Sequence, residues 1–246
     1  MPSTMSVDPQ AQTLVYEFWA KKTGRRIKNL QKRAFLVPEE APFAFGTKHS
    51  SLEQDYYECL DHDNVGVVDL KTSPTQELTE KGIISGGVEQ EFDTIVMAIG
   101  FDAMTGSFTG MNLYRTDGRT MKERWSGGVF TYLGLCSSRC PNVFLVYGPQ
   151  APTAFTNGPV FIEVQVDVVV EFMLKMRAEG IKFIEAQPQA EQKWKQAIHD
   201  ANTKTLLPLT DSWYMGANVR GKSREQLNDL REINNYEKEC RAALED

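Results

Sequence analysis

Lys48 and His49 stand side by side in a segment that begins with Gly46-Thr47, and both side chains could do chemistry. The ammonium group of a lysine is a compact point charge that suits a phosphate. A histidine has an ordinary pKa of about 6.5 and can exchange a proton near neutral pH. From residue type alone, an ordinary solvated lysine is the usual explanation for Lys48, and a contact with a phosphate is the alternative.

An apolar run at Phe92–Ala98 leads to Gly100 and continues as Phe101-Asp102. Such a run predicts a buried β-strand that ends in a glycine turn, where the backbone can approach a ligand closely. Turn formation alone would also explain Gly100 and Asp102. We therefore take this turn as a candidate for a ligand-facing segment.

A second continuous apolar run, Asn142–Tyr147, predicts another buried strand, and it ends at Gly148-Pro149. A parallel strand that leads into a loop and then a helix is the usual layout of a ligand crevice in open α/β sheets. The loop after Tyr147 is therefore a second candidate for ligand contact.

A long helix is predicted after this loop. Asn157 provides a cap, and Pro159 after Gly158 suits the first helical turn. The helix is expected to run to about Glu179 and to end at Gly180. Since it is apolar on most sides, we expect a core helix that other elements cover.

The remaining elements are predicted from periodicity and turn residues. A helix from Pro9 to Leu36 has a basic outer face, which is either solvated or close to a phosphate-bearing cofactor. The other predicted elements are a strand at Val65–Leu70, short β segments at Gln76–Leu78 and Gly82–Ser85, a helix at about Gln189–Thr205 that carries Trp194 and Ile198, and a helical, mostly solvated tail from Ser223 to Asp246.

Composition excludes several classes of protein. The chain has 246 residues, with 27 Lys and Arg against 33 Asp and Glu, and its net charge of −6 disfavours general attraction to nucleic acid or anionic membranes. No apolar run approaches transmembrane length, and the first eight residues do not resemble a signal peptide. Apart from the Cys-x₃-Cys at Cys136 and Cys140, the four cysteines lack zinc-ligand spacing. With three histidines and no second cysteine pair, we expect no metal, and we expect a cytoplasmic protein with reduced thiols.

Several blocks of sequence, in the right order, resemble the Baeyer–Villiger and related class B flavin monooxygenases. The blocks are Tyr16-Glu17-Phe18-Trp19, Gly46-Thr47-Lys48, Gly100-Phe101-Asp102, Thr131-Tyr132-Leu133-Gly134, Gly148-Pro149-Gln150-Ala151-Pro152 with Asn157, and Ser212-Trp213-Tyr214-Met215-Gly216 with Gly221-Lys222. The resemblance implies an α/β fold, part of an architecture with two Rossmann-like dinucleotide-binding domains, without its N-terminal nucleotide-binding half. Residues 1–97 would be a remnant of the NADP-binding domain with a helical insertion at 8–36, and residues 98–246 the C-terminal portion of the FAD-binding domain.

The same resemblance implies roles for individual residues. Lys48 would contact the 2′-phosphate of NADP, and Trp213 would touch the nicotinamide cofactor. Gly158 would face the flavin, in a loop shaped by Gly148, Pro149 and Asn157. Gly100 and Asp102 would lie at the crossing between the two domains.

His49 occupies the position of a family arginine whose permanent charge stabilises the negative charge on the flavin. A histidine near an anion could serve in part, since an anion raises the pKa of an imidazole. The interpretation that we favour is that the catalytic position has been lost, because only arginine stays charged and offers five donors.

The chain contains no Gly-x-Gly-x-x-Gly motif, of which the family has two. These glycines place a pyrophosphate on a helix N-terminus. Without them we expect neither FAD nor NADP to bind this chain alone in the family manner. We also expect uncovered sheet edges and apolar helix faces, and hence a missing N-terminal half or a partner chain.

Three interpretations follow. By family the protein is a monooxygenase that uses FAD and NADPH to insert oxygen beside the carbonyl of a small hydrophobic ketone, incomplete or inactive as this chain alone. The alternative, which His49 and the missing glycines favour, is a non-catalytic binding or interaction protein, or a partner half, built on the same fold. The third is a truncated gene product.

Overall fold

Helices dominate the computed structural model of the chain, which describes residues 8–49, 51–153 and 156–245. The helices are α1 (Pro9–Gly24), α2 (Leu30–Leu36), α3 (Tyr56–Asp61), α4 (Gly106–Gly110), α5 (Met121–Arg124), α6 (Gly158–Glu179), α7 (Pro188–Asn202) and α8 (Ile233–Ala242). Short 3-10 turns occupy Leu207–Leu209 and Trp213–Met215. The strands are β1 (Thr75–Leu78), β2 (Gly82–Ser85) and β3 (Val88–Glu91), so the mixed α/β class is confirmed.

The described residues form two compact units. The larger unit comprises the described parts of Met1–Gln12, Phe43–His49 and Phe101–Asp246. The smaller unit comprises Thr13–Pro42 and the described part of Ser50–Gly100. The first seven residues, on which the expectation of no signal peptide depends, lie outside the described residues.

The core of the larger unit lies where α6, α7 and α8 meet residues 133–136. Phe161 of α6, Trp194 of α7 and Tyr236 of α8 are buried there. The Tyr236 hydroxyl donates to the Leu133 carbonyl at 2.8 Å and accepts from Gln165 Nε2 at 2.9 Å. The three helices are therefore joined by apolar packing around a satisfied polar centre.

The sheet of the smaller unit is antiparallel in the order β1-β2-β3. β1 and β2 confirm the two predicted β segments. β3 was not predicted, although Gly86-Gly87 between β2 and β3 is a strong hairpin signal because both residues have positive φ. No parallel strand pair occurs among the described residues.

The prediction of one continuous helix from Pro9 to Leu36 is wrong, because the structure has two helices there. α1 ends at Gly24, and α2 begins after Asn29, whose side chain accepts hydrogen bonds from the backbone of Gln31 and Lys32. A capping asparagine satisfies the first N–H groups of a new helix, so it favours a restart over continuation.

Three predicted strands, at Val65–Leu70, Phe92–Ala98 and Asn142–Tyr147, are also wrong, because none of them is a strand in the structure. The first ends in a turn at Asp69, whose backbone and side chain accept four local hydrogen bonds. The second lies exposed, with no neighbouring strand among the described residues. In the third, Asn142 and Tyr147 have left-handed φ of 60° and 58°, which is incompatible with an extended strand.

α6 begins after Asn157 and ends before Gly180, as predicted, but it is not covered on most sides. Its buried residues are Phe161, Gln165, Val168 and Phe172. α7 confirms the predicted second helix, and it buries Trp194 and Ile198.

The tail was expected to be helical and mostly solvated, and this is wrong in two respects. Only α8 is helical between residues 223 and 245. Leu227, Tyr236 and Cys240 are completely buried. The tail is therefore part of the core of the larger unit.

Candidate functional site

The late block of residues 212–229 runs beside the loop after Tyr147. The Leu227 N–H donates to the Tyr214 carbonyl at 2.8 Å, and the Leu227 carbonyl accepts from the Gln150 N–H at 2.7 Å. The Asp229 N–H donates to the Ala151 carbonyl at 3.0 Å. The bonds of Gln150 and Ala151 join residues that are 77 and 78 positions apart in the sequence.

Gln150 holds this loop in place. Its Oε1 accepts from the backbone and hydroxyl of Thr131 at 3.1 and 2.8 Å, and its Nε2 donates to the Val129 carbonyl at 3.1 Å. Its own carbonyl accepts from the indole of Trp194 at 3.0 Å. Both polar atoms of the side chain have partners within the chain, so it serves to position the loop.

Gly148 and Pro149 are buried by the chain itself. A Cβ on Gly148 would lie 2.7 Å from the carbonyl oxygens of Gly134 and Leu145, so this glycine permits close packing within the loop. Both residues shape the loop, in line with their expected role. Their burial leaves little surface for a ligand.

The N-terminus of α6 is the accessible end of this loop. Asn157 is exposed, and its side chain accepts from the Val160 N–H, while Gly158 is half-buried. A Cβ on Gly158 would lie 3.3 Å from the Tyr147 hydroxyl, which leaves little room for a larger residue. A helix of 22 residues also presents positive potential at this end.

Asp102 holds the turn after Gly100 in place through its side chain. Its Oδ1 lies 2.5 Å from Lys222 Nζ and accepts from the Thr105 hydroxyl at 2.9 Å. Asn218 donates to the Phe101 carbonyl at 3.0 Å. These contacts attach the turn after Gly100 to the late block. No signal in the local sequence predicts this pairing.

Thr47 attaches the segment of Lys48 and His49 to Thr210, two residues before the late block. Its hydroxyl lies 2.7 Å from the Thr210 hydroxyl, and both residues are buried. Lys48 and His49 are exposed, and the Lys48 ammonium lies 4.5 Å from the centre of the Phe43 ring. Within the described part of the chain Lys48 makes no ion pair, so its charge is available to an anion.

Trp213 opens a 3-10 turn two residues beyond Asp211 and is half-buried. Its ring lies 4.2 Å from that of Tyr214, and it packs on the small cluster that contains Leu207 and Leu230. Part of the indole therefore remains available for contact with a ligand.

Sequence reasoning missed Glu191, a completely buried carboxylate of α7. Its oxygens accept from the hydroxyl of Ser137, from the backbone and hydroxyl of Ser138, and from Arg124, at 2.7 to 3.2 Å. No sequence motif marks this set of partners. Because all of them are internal, Glu191 serves the fold.

A cavity of about 470 Å³ lies beside α7. Phe130, Lys195 and Glu225 contribute to its lining, and Lys195 and Glu225 form an ion pair at 2.6 Å. The Lys195 ammonium also lies 4.1 Å from the Phe130 ring centre. The charged groups of this cavity are therefore already paired with each other.

Two simple classes of site can be tested on the described residues. Among them, no group of three or more His, Cys, Asp or Glu side chains is arranged to hold a metal ion. Over the same part of the chain, no helix has the length and apolar character needed to cross a membrane.

The predicted cofactors fit this chain at one end only. Beside Thr153, Asn228 donates to the Thr153 hydroxyl, but its Oδ1 is buried and accepts no hydrogen bond within the described structure. Asn228 is completely buried, so this acceptor is not open to a ligand, and the accessible group is the N-terminus of α6, whose positive potential suits the polar edge of a flavin ring. The sequence offers no glycine loop for the pyrophosphate, so the donor set fits the ring and does not fit the nucleotide.

Comparison with known proteins identifies relatives along nearly the whole chain, although no protein-family model matches it. A cyclopentanone 1,2-monooxygenase from Comamonas sp. is 42% identical over 90% of this chain and 40% of its own length. The FAD-binding monooxygenase VdtE from Byssochlamys spectabilis is 41% identical over 95% of this chain and 42% of its own length. A Baeyer–Villiger monooxygenase from Pseudooceanicola batsensis is 33% identical over 90% of this chain and 40% of its own length.

Solved structures of monooxygenases also match nearly the whole chain. A cyclohexanone monooxygenase from Rhodococcus sp. Phi1 bound to NADP⁺ has a TM-score of 0.91 at 31% identity, over 99% of this chain and 45% of its own. A complex of OTEMO with FAD and NADP has a TM-score of 0.90 at 29% identity, over 98% of this chain and 44% of its own. The chain therefore spans less than half the length of these proteins. By sequence and fold it is similar to a part of the Baeyer–Villiger type of FAD-binding monooxygenases, as its motifs predicted.

Proposed function

We propose that this chain supplies the ring-facing and nicotinamide-facing portion of a Baeyer–Villiger monooxygenase. The enzyme would use NADPH and FAD to insert oxygen beside the carbonyl of a small hydrophobic ketone. Residues 1–97 would derive from the NADP-binding domain and residues 98–246 from the FAD-binding domain of a two-dinucleotide architecture. The observation that carries the proposal is the hydrogen-bonded contact of the late block with the loop after Tyr147, through Leu227 and Gln150.

The residues that would hold FAD are Asn157 and Gly158, at the N-terminus of α6. FAD, when bound and reduced by NADPH, would activate O₂, of which one atom enters the product and the other leaves as water, and the protein binds and orients the reactants. The helix N-terminus favours negative charge beside it.

The residues that would meet NADP are Lys48 and Trp213. Lys48 is exposed and has no ionic partner among the described residues, so it can bind a phosphate. Trp213 presents part of an aromatic ring, which suits stacking with a flat heterocycle. Thr47 lies next to Lys48, and Thr210 lies three positions before Trp213. The hydrogen bond between the two threonines therefore holds the two segments together.

His49 limits the proposed activity. It is exposed, and the structure gives it no hydrogen bond within the described residues. A guanidinium stays charged and has five N–H donors, whereas an imidazole has at most two. We therefore propose that an enzyme assembled with His49 stabilises negative charge on the flavin poorly and has low activity.

The second candidate function is that of a non-catalytic binding or interaction protein on the same fold. His49 and the absence of Gly-x-Gly-x-x-Gly favour it. We place the protein in the cytoplasm under either proposal. The four cysteines, all within the described residues, are free thiols, which suits a reducing compartment.

The first test is an absorbance spectrum of the purified full chain after incubation with FAD and desalting. Flavin bands that remain at about one flavin per chain would support the enzyme and would argue against a simple interaction protein. A colourless protein would show that the nucleotide must be held by other residues, in line with the missing glycine loops.

A chimera separates the two candidates. The matching 40% of the Comamonas cyclopentanone 1,2-monooxygenase is replaced by this chain. We expect a flavin-binding protein with slow ketone-dependent oxidation of NADPH, which His49→Arg accelerates and Lys48→Ala weakens through a higher KM for NADPH. A folded, flavin-loaded chimera that stays inactive with His49→Arg would contradict the enzyme proposal.

A further inference from the structure

The outer stripe of α6 is an exposed apolar surface. It consists of Ile162, Val166, Val170, Met173 and Leu174, which are 36 to 59% exposed. Spacings of three and four residues place these side chains on one side of the helix. The buried face, which contains Phe161 and Val168, lies on another side. α6 is therefore apolar on two faces and packed on only one.

Such a stripe is unusual on the surface of a folded protein. Helices that face water normally carry polar residues on the outer side, and contiguous apolar patches mark interaction sites. Glu163 and Asp167 are exposed beside the stripe. The surface is thus an apolar strip with an acidic rim.

The smaller unit carries a second uncovered apolar element, the segment of residues 95–99. Val96 and Ile99 are each 82% exposed, Met97 is 59% exposed and Ile95 is 38% exposed. All five residues of this segment are exposed, so no side of it is covered. A run that is apolar on both sides is typical of an internal strand of a parallel sheet.

We infer that one polypeptide covers both surfaces, namely a nucleotide-binding portion equivalent to the part of the related monooxygenases that this chain does not match. This inference rests on the proposed function. The solved cyclohexanone monooxygenase superposes on 99% of this chain with a TM-score of 0.91, yet the match covers only 45% of that enzyme. The other 55% of such a fold has to pack on surfaces that the matched part leaves free.

The chemistry of the two surfaces agrees with this occupant. Residues 95–99 would pair with a parallel strand, which supplies backbone hydrogen bonds and apolar cover on both sides. The outer stripe of α6 would pack on an apolar face with basic residues near Glu163 and Asp167. A second copy of this chain would bring like charges together, since each copy has a net charge of −6.

Coexpression tests the inference. The full chain is produced together with a separate, tagged polypeptide that contains the part of the Comamonas cyclopentanone 1,2-monooxygenase outside the match. We expect the two to copurify as a one-to-one complex, whose mass is measured by light scattering. We expect Val166→Glu with Val170→Glu to weaken binding by about tenfold or more, because it would bury two charges. We expect Val96→Asp to weaken it independently.

The matched control is Gln192→Glu with Gln196→Glu, which adds the same two charges at exposed positions four residues apart on α7. It should leave binding unchanged. Because Val166 and Val170 are exposed in this chain, their variants should keep its thermal stability within about 1 °C.

The outcomes separate the two proposals. The absence of a complex, or a homodimer that the α6 variant disrupts, would overturn the inference. A complex of equal strength with the wild type and the α6 variant would also overturn it. A one-to-one complex that binds no FAD would leave the inference standing and would contradict the proposed function.

Discussion

The hydroxyl oxygens of Thr47 and Thr210 lie 2.7 Å apart in a buried hydrogen bond between residues 163 positions apart. The Thr47 hydroxyl also lies 2.5 Å from the Ala44 carbonyl. This contact holds the segment that carries Lys48 and His49 against the segment that leads to Trp213. It therefore links two blocks that the family resemblance assigns to the same cofactor.

Thr47→Val is expected to destabilise the protein by about 1 to 2 kcal/mol, because it leaves the buried Thr210 hydroxyl without this partner. Urea unfolding followed by tryptophan fluorescence measures the change. The double variant with Thr210→Val should cost less than the sum of the single variants, since neither hydroxyl is then left alone. Strict additivity would show that the two hydroxyls do not interact.

Asp102 and Lys222 form the second long-range anchor, and their side chains are 32% and 12% exposed. An exposed ion pair contributes at most about 1 kcal/mol, and breaking a fully buried one costs about 3 to 5 kcal/mol. We expect Lys222→Met to fall between these limits, at about 1 to 3 kcal/mol, in urea unfolding. Asp102→Asn combined with it should add little. Arg220→Met, on an exposed neighbour, is the control and should be neutral.

The parts of the fold that the sequence predicted correctly depend on local signals. Asn157 and Gly180 mark the ends of α6 through capping, which involves only neighbouring residues. Trp194 and Ile198 lie four positions apart and mark the buried face of α7. The motif residues of the candidate site were recognised in the same way, as short blocks of sequence.

The parts that were wrong depend on distant residues. The apolar residues of Phe92–Ala98 predicted a buried strand, but a strand forms only when a neighbour pairs with it. Apolar content likewise could not show that one side of α6 is uncovered. Glu191 and its partners come from three separate segments, so no local pattern reveals them.

Thiol reactivity tests the placement of the four cysteines. Cys59 is exposed, whereas burial raises the pKa of Cys136 and of Cys240 to about 12 and also raises the pKa of Cys140. A thiol reacts as the thiolate, so these three groups are neutral and unreactive at pH 8.

With Ellman's reagent at pH 8 we expect one fast thiol per folded chain and four in urea. Cys59→Ser should abolish the fast reaction and leave the slow one unchanged. A second fast thiol in the folded protein would contradict the burial of the other three.

Asp61 makes the stability of the smaller unit depend on pH. Its two oxygens accept from the backbone N–H groups of Lys28 and Asn29, both at 2.9 Å, and these bonds lower the pKa of the carboxyl group. A group with a lowered pKa contributes stability that is complete above its ordinary pKa of about 3.9 and is lost as the pH falls through its folded value.

The amide signals of Lys28 and Asn29 in NMR spectra should therefore titrate with a midpoint below about 3.9. Asp61→Asn should remove this titration. The variant should be less stable than the wild type at neutral pH, and this difference should disappear once the pH falls below the pKa of Asp61 in the folded protein. A midpoint at or above 3.9 would show that the two bonds do not favour the ionised carboxylate.

Glu191 provides the last prediction, because its carboxylate is completely buried and accepts only from internal donors. In Glu191→Gln, one oxygen becomes an NH₂ group that faces the hydroxyls or the backbone N–H of Ser137 and Ser138, and Arg124 loses its ionic partner. We expect a loss of about 2 to 4 kcal/mol in urea unfolding, since buried donors remain unpaired. Glu185→Gln, at an exposed position before α7, should stay within about 0.5 kcal/mol of the wild type. Equal stability of the two variants would mean that the Glu191 network does not hold α7 against residues 137 and 138.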